Sequence, residues 1–283
     1  MKSIVFKEAE KFSVLMSIYH KEVPDFFIKA LDSLIDQTKK ANEIVLVKDG
    51  PLTEDLDQII NRYVVEFPNL FKIISLSENK GLGNALSIGI LECSNEIVAR
   101  MDTDDICNPN RFEKQMDFLL LNPHIDVVGS NVEEFNVVPG DLKRFRKMPE
   151  KDVELLRYSK FRNPLNHPTV MYRKSKVLEA GNYNGDILLF EDFSLFIRML
   201  KKGSNFYNIQ ESLLNFRTGL GIEVIKRRSG LFYVKNEWKF AALALKIRQL
   251  NYFEWLFYIS TKLPLRILPP RIILFVYNTF LRN

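Results

Sequence analysis

Three carboxylates stand within four residues at Asp102-Thr103-Asp104-Asp105, directly after the apolar run Glu96 to Arg100 (EIVAR). Like charges that close repel unless solvent or a cation separates them. A hard divalent ion, Mn²⁺ or Mg²⁺, takes about six oxygen ligands, so Asp102 and Asp104 would hold one with phosphate oxygens and water completing the shell. The run can also be read as acids ahead of the helix that begins near Asn110, and for Asp105 that capping role suffices. A second acidic pair, Glu191-Asp192, opens a helix marked by Phe193, Phe196 and Leu200. A helix N-terminus favours the ionised carboxylate, which suits either a plain capping acid or a proton acceptor.

These acids need a scaffold, and the pattern around them supplies one. Phe12 to Ser17 (FSVLMS), Glu43 to Val47, Phe71 to Leu76 and Glu96 to Arg100 are short apolar, β-rich runs. Between and after them lie stretches of helical spacing: Phe26 to Ile35, Leu56 to Val65, Leu82 to Leu91 and Phe112 to Leu121. Near-continuous apolar strands alternating with helices predict an α/β fold with a mostly parallel sheet covered on both faces. Further strands are expected over Ile125 to Phe135 and Thr169 to Tyr172, with a surface excursion over Pro139 to Met148.

Ligands in such sheets bind beyond the carboxyl ends of the strands, and each of those ends is polar here. They carry Ser17, Tyr19 and His20; Lys48-Asp49-Gly50-Pro51; Glu78-Asn79-Lys80-Gly81-Leu82-Gly83-Asn84; and the aspartate run. Asn163 to Pro168 is a turn-rich loop, and its His167 is either a substrate contact or a structural histidine.

The chain has 283 residues, enough for one large core or two modest ones, and a formal charge of +5. The charge is uneven. From Lys226 to the end there are eleven basic and two acidic residues, so residues 1–225 sum to about −4 and the rest to about +9. Two cysteines, Cys93 and Cys107, exclude a disulfide framework and fit a reducing, cytoplasmic compartment. The N-terminal sequence lacks a signal-like apolar stretch, and eighteen apolar residues nowhere run together. The tail 223–283 is expected to be helical, basic and amphipathic, broken into short helices at Pro264, Pro269 and Pro270, with Ile272 to Tyr277 its longest apolar run. It would lie on an anionic membrane surface, or fold back on the body, or contact a second copy. An acidic metal loop argues against a nucleic-acid groove.

Taken in order, Phe12 to Ser17 with Pro24, Val47-Lys48-Asp49-Gly50, Asn79-Lys80-Gly81 with Asn84 and Ala85, Arg100 to Asp105, and Glu191-Asp192 resemble the inverting glycosyltransferases of family 2, over about residues 12 to 215. The likeness is greatest to bacterial enzymes that extend lipid-linked O-antigen or exopolysaccharide units. Lys48 and Pro51 depart from the commoner Asp-Asp-Gly-Ser motif.

The resemblance implies a GT-A fold in a catalytic domain over 1–222, with a nucleotide-sugar half over about 12–105 and an acceptor half over about 106–222. A UDP-sugar would meet Ser17, Tyr19, Asp49, Asn79, Lys80, Asn84, Arg100, Asp102 and Thr103, with Asp49 accepting the uracil N3–H. Lys80 could neutralise phosphate, and Arg100 either contacts phosphate or pairs with a carboxylate. Asp102 and Asp104 would hold the metal, and His167 would touch acceptor or diphosphate. Asp192 would be the base, with Glu191 orienting the acceptor or replacing it. The implied activity is transfer of glucose or galactose from a UDP-sugar to a polyprenyl-diphosphate-linked saccharide, at the cytoplasmic face of the inner membrane. Two other readings are a membrane-surface binding protein on an inactive transferase scaffold and a sugar nucleotidyltransferase.

Overall fold

The computed structural model describes residues 11–219 and 229–268. Its first half is the expected alternation: β1 (Phe12–Ile18), α1 (Pro24–Ile35), β2 (Glu43–Lys48), α2 (Glu54–Glu66), β3 (Phe71–Ser75), α3 (Leu82–Glu92) and β4 (Ile97–Arg100). These four strands are parallel in the order β3-β2-β1-β4. Side chains alternate across each strand. Phe12, Val14 and Met16 of β1, with Ile44 and Leu46 of β2, enter one core with Phe27 and Leu31 of α1. Leu15, Val45 and Val47 enter the opposite core with Leu86 and Ile90 of α3. Both faces are covered, which is why the strands read as unbroken apolar runs.

The second half is mixed in direction. It comprises β5 (Ile106–Cys107), α4 (Arg111–Leu121), β6 (Val127–Phe135), β7 (Arg144–Arg146), α5 (Asp152–Tyr158), a 3₁₀ turn (His167–Thr169), β8 (Met171–Arg173), α6 (Lys174–Glu179), α7 (Glu191–Lys201) and β9 (Phe206–Arg217). The sheet runs β3-β2-β1-β4-β8-β6-β9-β5, with β7 paired to β6. β8 is antiparallel to both neighbours, and β9 is parallel to β6 with register shifts between Ser130 and Val132. Thr169, expected to begin a strand, lies in the 3₁₀ turn instead, because Pro168 favours a turn and Thr169 Oγ1 bonds back to the Asn166 carbonyl at 2.7 Å.

Two helices follow, α8 (Leu231–Lys246) and α9 (Tyr252–Ile267). A third core joins them to α7: Phe193 and Ile197 meet Tyr233, Phe240, Ala241, Ala244 and Tyr258. α9 starts in a capping box, Asn251 and Glu254 exchanging two 2.9 Å bonds, a motif that stabilises by about 1 kcal/mol. It does not break at Pro264 as its sequence suggested. Pro264 lies in the last turn, so it takes a partner only from the Ser260 carbonyl and the helix closes with Leu268 N–H on the Pro264 carbonyl at 3.2 Å. Pro269, Pro270 and the run Ile272 to Tyr277 lie outside the described residues, as does the boundary expected at 222/223. Among the described residues no helix is long and apolar enough to cross a membrane.

Candidate active site

The carboxyl ends of β1, β2 and β4 are fastened into one rim: Asp49 N–H donates to the Ile18 carbonyl at 2.8 Å and Met101 N–H to the Leu15 carbonyl at 3.1 Å. On that rim Asp49 is buried, and its two carboxylate oxygens accept the N–H groups of Lys80 (2.8 Å) and Gly81 (3.0 Å). A carboxylate offers about four lone-pair positions, so room remains for one further donor. Gly50 follows at φ +86°, and a Cβ there would lie 2.6 Å from the Asn79 nitrogen, so the strand end and the Asn79 loop meet backbone to backbone. Lys48, the departure from the usual motif, turns to Asp57 of α2 at 2.5 Å.

Around this point Ser17 is half-buried and Tyr19 exposed. Asn79 and Lys80 are exposed, Lys80 Nζ lies 3.3 Å from Glu78, and Asn84 Nδ2 donates to the Lys80 carbonyl at 2.7 Å. The loop is thus held through backbone and Asn84, leaving the Asn79 and Lys80 side chains at the surface.

Beyond β4, Asp102, Asp104 and Asp105 bring one oxygen each within 4.8 Å of one another. Burial, then the charges of Asp102 and Glu22, push Asp104 up to about 7, and burial and Asp104 push Asp105 well above the usual carboxylate range. Two cations answer part of this charge. Arg100, fully buried, pairs with Asp102. Arg217 donates its backbone N–H to Asp105 Oδ1 and its Nε–H to the Asp104 carbonyl, both at 2.8 Å, while its guanidinium lies over Phe26 and Phe135. Asp105 Oδ2 is buried and has no hydrogen-bond partner among the described residues. Clustered carboxylates, one with an orphaned oxygen and one held partly protonated, fit a divalent cation.

Asp105 therefore does not cap α4 as its position suggested. That helix begins at Arg111, with Asn110 in the N-cap position making no side-chain cap bond, and Asp105 instead ties the end of β9 to the aspartate loop. Thr103 turns its hydroxyl to Glu22.

Across the rim, Asp192 sits in the first turn of α7. Its Oδ1 accepts Phe193 N–H at 2.7 Å and its Oδ2 accepts Asn163 Nδ2–H at 2.6 Å. Burial raises its pKa, while the Phe193 N–H, Arg100 and Asn163 pull it down. Burial, then the charge of Asp192, pushes Glu191 up to about 7. A Cβ on Gly83 would lie 3.0 Å from the Asn184 carbonyl and 3.1 Å from Glu191 Cβ, so the start of α3 packs directly on the segment that carries the acidic pair.

His167 is buried, with Nε2 3.0 Å from the Tyr183 hydroxyl, and burial followed by the charge of Arg100 holds it neutral, well below its ordinary range. Its ring is engaged by the protein, and Tyr183 in turn reaches Tyr172 at 3.4 Å. Glu22, Asn163 and Arg217 are the site residues that the sequence did not announce. Only Asn163 carried a signal, its place in the Asn-Pro loop ahead of His167.

The family model for glycosyl transferase family 2 matches residues 13–180. The chain belongs to this family. The transferase is 35% identical to the amylovoran biosynthesis glycosyltransferase AmsE of Erwinia amylovora, over 94% of this chain and 98% of AmsE. It is also 35% identical to the UDP-Gal:alpha-D-GlcNAc-diphosphoundecaprenol beta-1,3-galactosyltransferase of Escherichia coli, over 98% of each chain. Among solved structures it resembles S. aureus TarS 1-349 in complex with UDP-GlcNAc, with a TM-score of 0.66, 18% identity, and 96% of this transferase and 74% of that chain covered. GalNAc-T7 with UDP, GalNAc and Mn²⁺ gives the same TM-score at 15% identity, over 95% and 54% of the two chains. The fold is GT-A-like, as expected.

Proposed function

We propose that this transferase moves a hexose, galactose, from UDP-galactose to a saccharide carried on a polyprenyl diphosphate, with inversion at the anomeric carbon, in O-antigen or exopolysaccharide assembly. The 35% identity to the E. coli galactosyltransferase over 98% of both chains carries the choice of donor and acceptor. The rim supplies groups for each part. Asp49 takes the uracil N3–H on its remaining lone pairs, and Ser17, Tyr19, Asn79, Lys80 and Asn84 border the nucleotide. Asp102 and Asp104, with Asp105 beside them, would hold Mn²⁺ or Mg²⁺, which supplies charge neutralisation for the departing UDP. Arg100, buried behind Asp102, aims that carboxylate rather than touching phosphate.

The acceptor hydroxyl gives its proton to Asp192 as its oxygen bonds to the anomeric carbon, and the bond from that carbon to the diphosphate oxygen breaks on the opposite side. Asp192 is kept a proton acceptor by the Asn163 and Phe193 donors, and Glu191 orients the acceptor. His167, neutral and bonded to Tyr183, supports this floor. The enzyme works as a peripheral protein on the cytoplasmic face of the inner membrane, where such acceptors reside.

Turnover of UDP-galactose, UDP-glucose and their N-acetyl forms with Mn²⁺ and a synthetic lipid-diphosphate GlcNAc tests the reading. Release of UDP with a β-linked product is expected from UDP-galactose. Release of inorganic diphosphate instead, or no turnover with any of the four donors, overturns it.

A further inference from the structure

α9 exposes its apolar side. Over 16 residues, a length of about 24 Å, Phe253, Leu256, Phe257, Pro264 and Ile267 recur at helical spacing toward solvent, while Tyr258 between them is buried. Phe253 is 80% and Ile267 63% exposed. A shallow groove of about 560 Å³ runs between Leu256, Ile259, Leu263 and Ile267, with almost wholly apolar walls. A soluble helix normally turns such a stripe inward. Here the inward side is already used, by Tyr258 and Trp255 against α8.

The charges of the segment that carries it are one-sided. Residues 229–268 hold six Lys or Arg and two acids. Both acids are spoken for: Glu237 is buried under Tyr258 and Arg266, and Glu254 pairs with Lys160. Lys235, Lys246 and Arg248 are exposed, as is Trp238 on α8. The sequence after α9 adds Arg271 and Arg282 and no acid. An exposed apolar stripe on a segment with an excess of exposed cations matches an anionic lipid interface, which supplies acyl chains for one and phosphate charge for the other.

We infer that the outward face of α9 is the bilayer-docking surface of this transferase, lying in the plane of an anionic leaflet. The inference rests on the proposed lipid-linked acceptor for its purpose and on α9 for its substance. Phe240 of α8 stacks on Phe193 of α7 at 4.3 Å, and α7 begins at Glu191-Asp192. Docking α9 would therefore fix the orientation of the acidic pair relative to the leaflet that carries the acceptor's diphosphate.

Sedimentation of the full chain with phosphatidylcholine vesicles, with and without phosphatidylglycerol, reads this without any sugar transfer. Binding to the anionic vesicles that weakens in high salt is expected. The double variant Phe253→Ser with Ile267→Ser should partition about tenfold more weakly, from the apolar area removed, with unchanged far-ultraviolet dichroism and unchanged turnover of a short-chain, water-soluble acceptor. Failure of the wild-type chain to sediment, or equal sedimentation of the variant, overturns the inference. So does a concentration-dependent dimer that the variant abolishes, which would make the face a contact between copies. Vesicle binding without any glycosyl transfer would sink the proposed reaction and leave this surface standing.

Discussion

Asn163 Nδ2 donates to Asp192 Oδ2 across 2.6 Å, joining the loop ahead of the 3₁₀ turn and β8 to the first turn of α7. The bond favours the ionised carboxylate, and donors to charged groups contribute about 1.5–3 kcal/mol. Asn163→Ala should leave Asp192 protonated to higher pH. The acid limb of the kcat profile is expected to move up by about one pH unit, with kcat lowered at neutral pH and recovered on the alkaline side. A limb that stays in place would show that Asp192 does not set the rate.

Glu191 and Asp192 differ in support, because among the described residues only Asp192 has a side-chain donor. Asp192→Asn should lower kcat by about 10³ and Glu191→Gln by about tenfold, from the usual size of general-base effects. Burial and Asp192 push Glu191 up to about 7, where Asp104 also lies, so of the carboxyl titrations near that pH in the wild type the one assigned to Glu191 should be lost in Glu191→Gln. Carboxyl resonances followed by NMR through pH 5–9 would register it.

Asp104 is raised from 3.8 to about 7, so its protonated form favours the folded state. That contribution is full below the unfolded pKa and is lost as pH rises through about 7. Asp104→Asn should accordingly melt higher than the wild type at pH 8, by up to about 4 kcal/mol or about 10 °C, and the gap should close toward pH 4. Mn²⁺ with UDP should raise the wild-type melting temperature and leave that of Asp104→Asn nearly unmoved. Thermal scans at the two pH values, with and without the ligands, decide it.

Gly50→Ala places a Cβ 2.6 Å from the Asn79 nitrogen at a φ of +86°. A cost of about 2 kcal/mol is expected from the strained backbone, with UDP affinity lowered because Asp49 and the Asn79 loop separate. Calorimetric titration of UDP against folded Gly50→Ala, compared with Gly203→Ala, which has nothing within 4 Å of its Cβ, separates the local effect from general strain.

The first half was legible because its strands are buried on both faces and its helices on one, so apolar runs and helical spacing mark every element from β1 (Phe12–Ile18) to β4 (Ile97–Arg100). The other half was not. β9 carries Gln210 and Glu211 amid its apolar residues and pairs with β6 through shifted register, and β5 is only Ile106–Cys107, so neither has a local pattern to read. The acids of the site were legible by their clustering, but their partners were not. Arg217 meets Asp105 across 112 positions and Thr103 meets Glu22 across 81, distances at which one sequence offers no spacing rule. Asp105 follows the same rule: its partner on β9 lies far along the chain, while the helix at Asn110, the one its position suggested it would cap, lies near.

Pro264 sets a limit on how α9 can sit. Having no N–H, it leaves the Ser260 carbonyl without its usual helical donor, on the same exposed side as Phe257 and Ile267. A bare carbonyl is tolerated among hydrated headgroups and costs several kcal/mol in hydrocarbon. Such a helix can float half-immersed but cannot sink, so the enzyme would ride at a fixed draught and could let go of the leaflet without being pulled out of it.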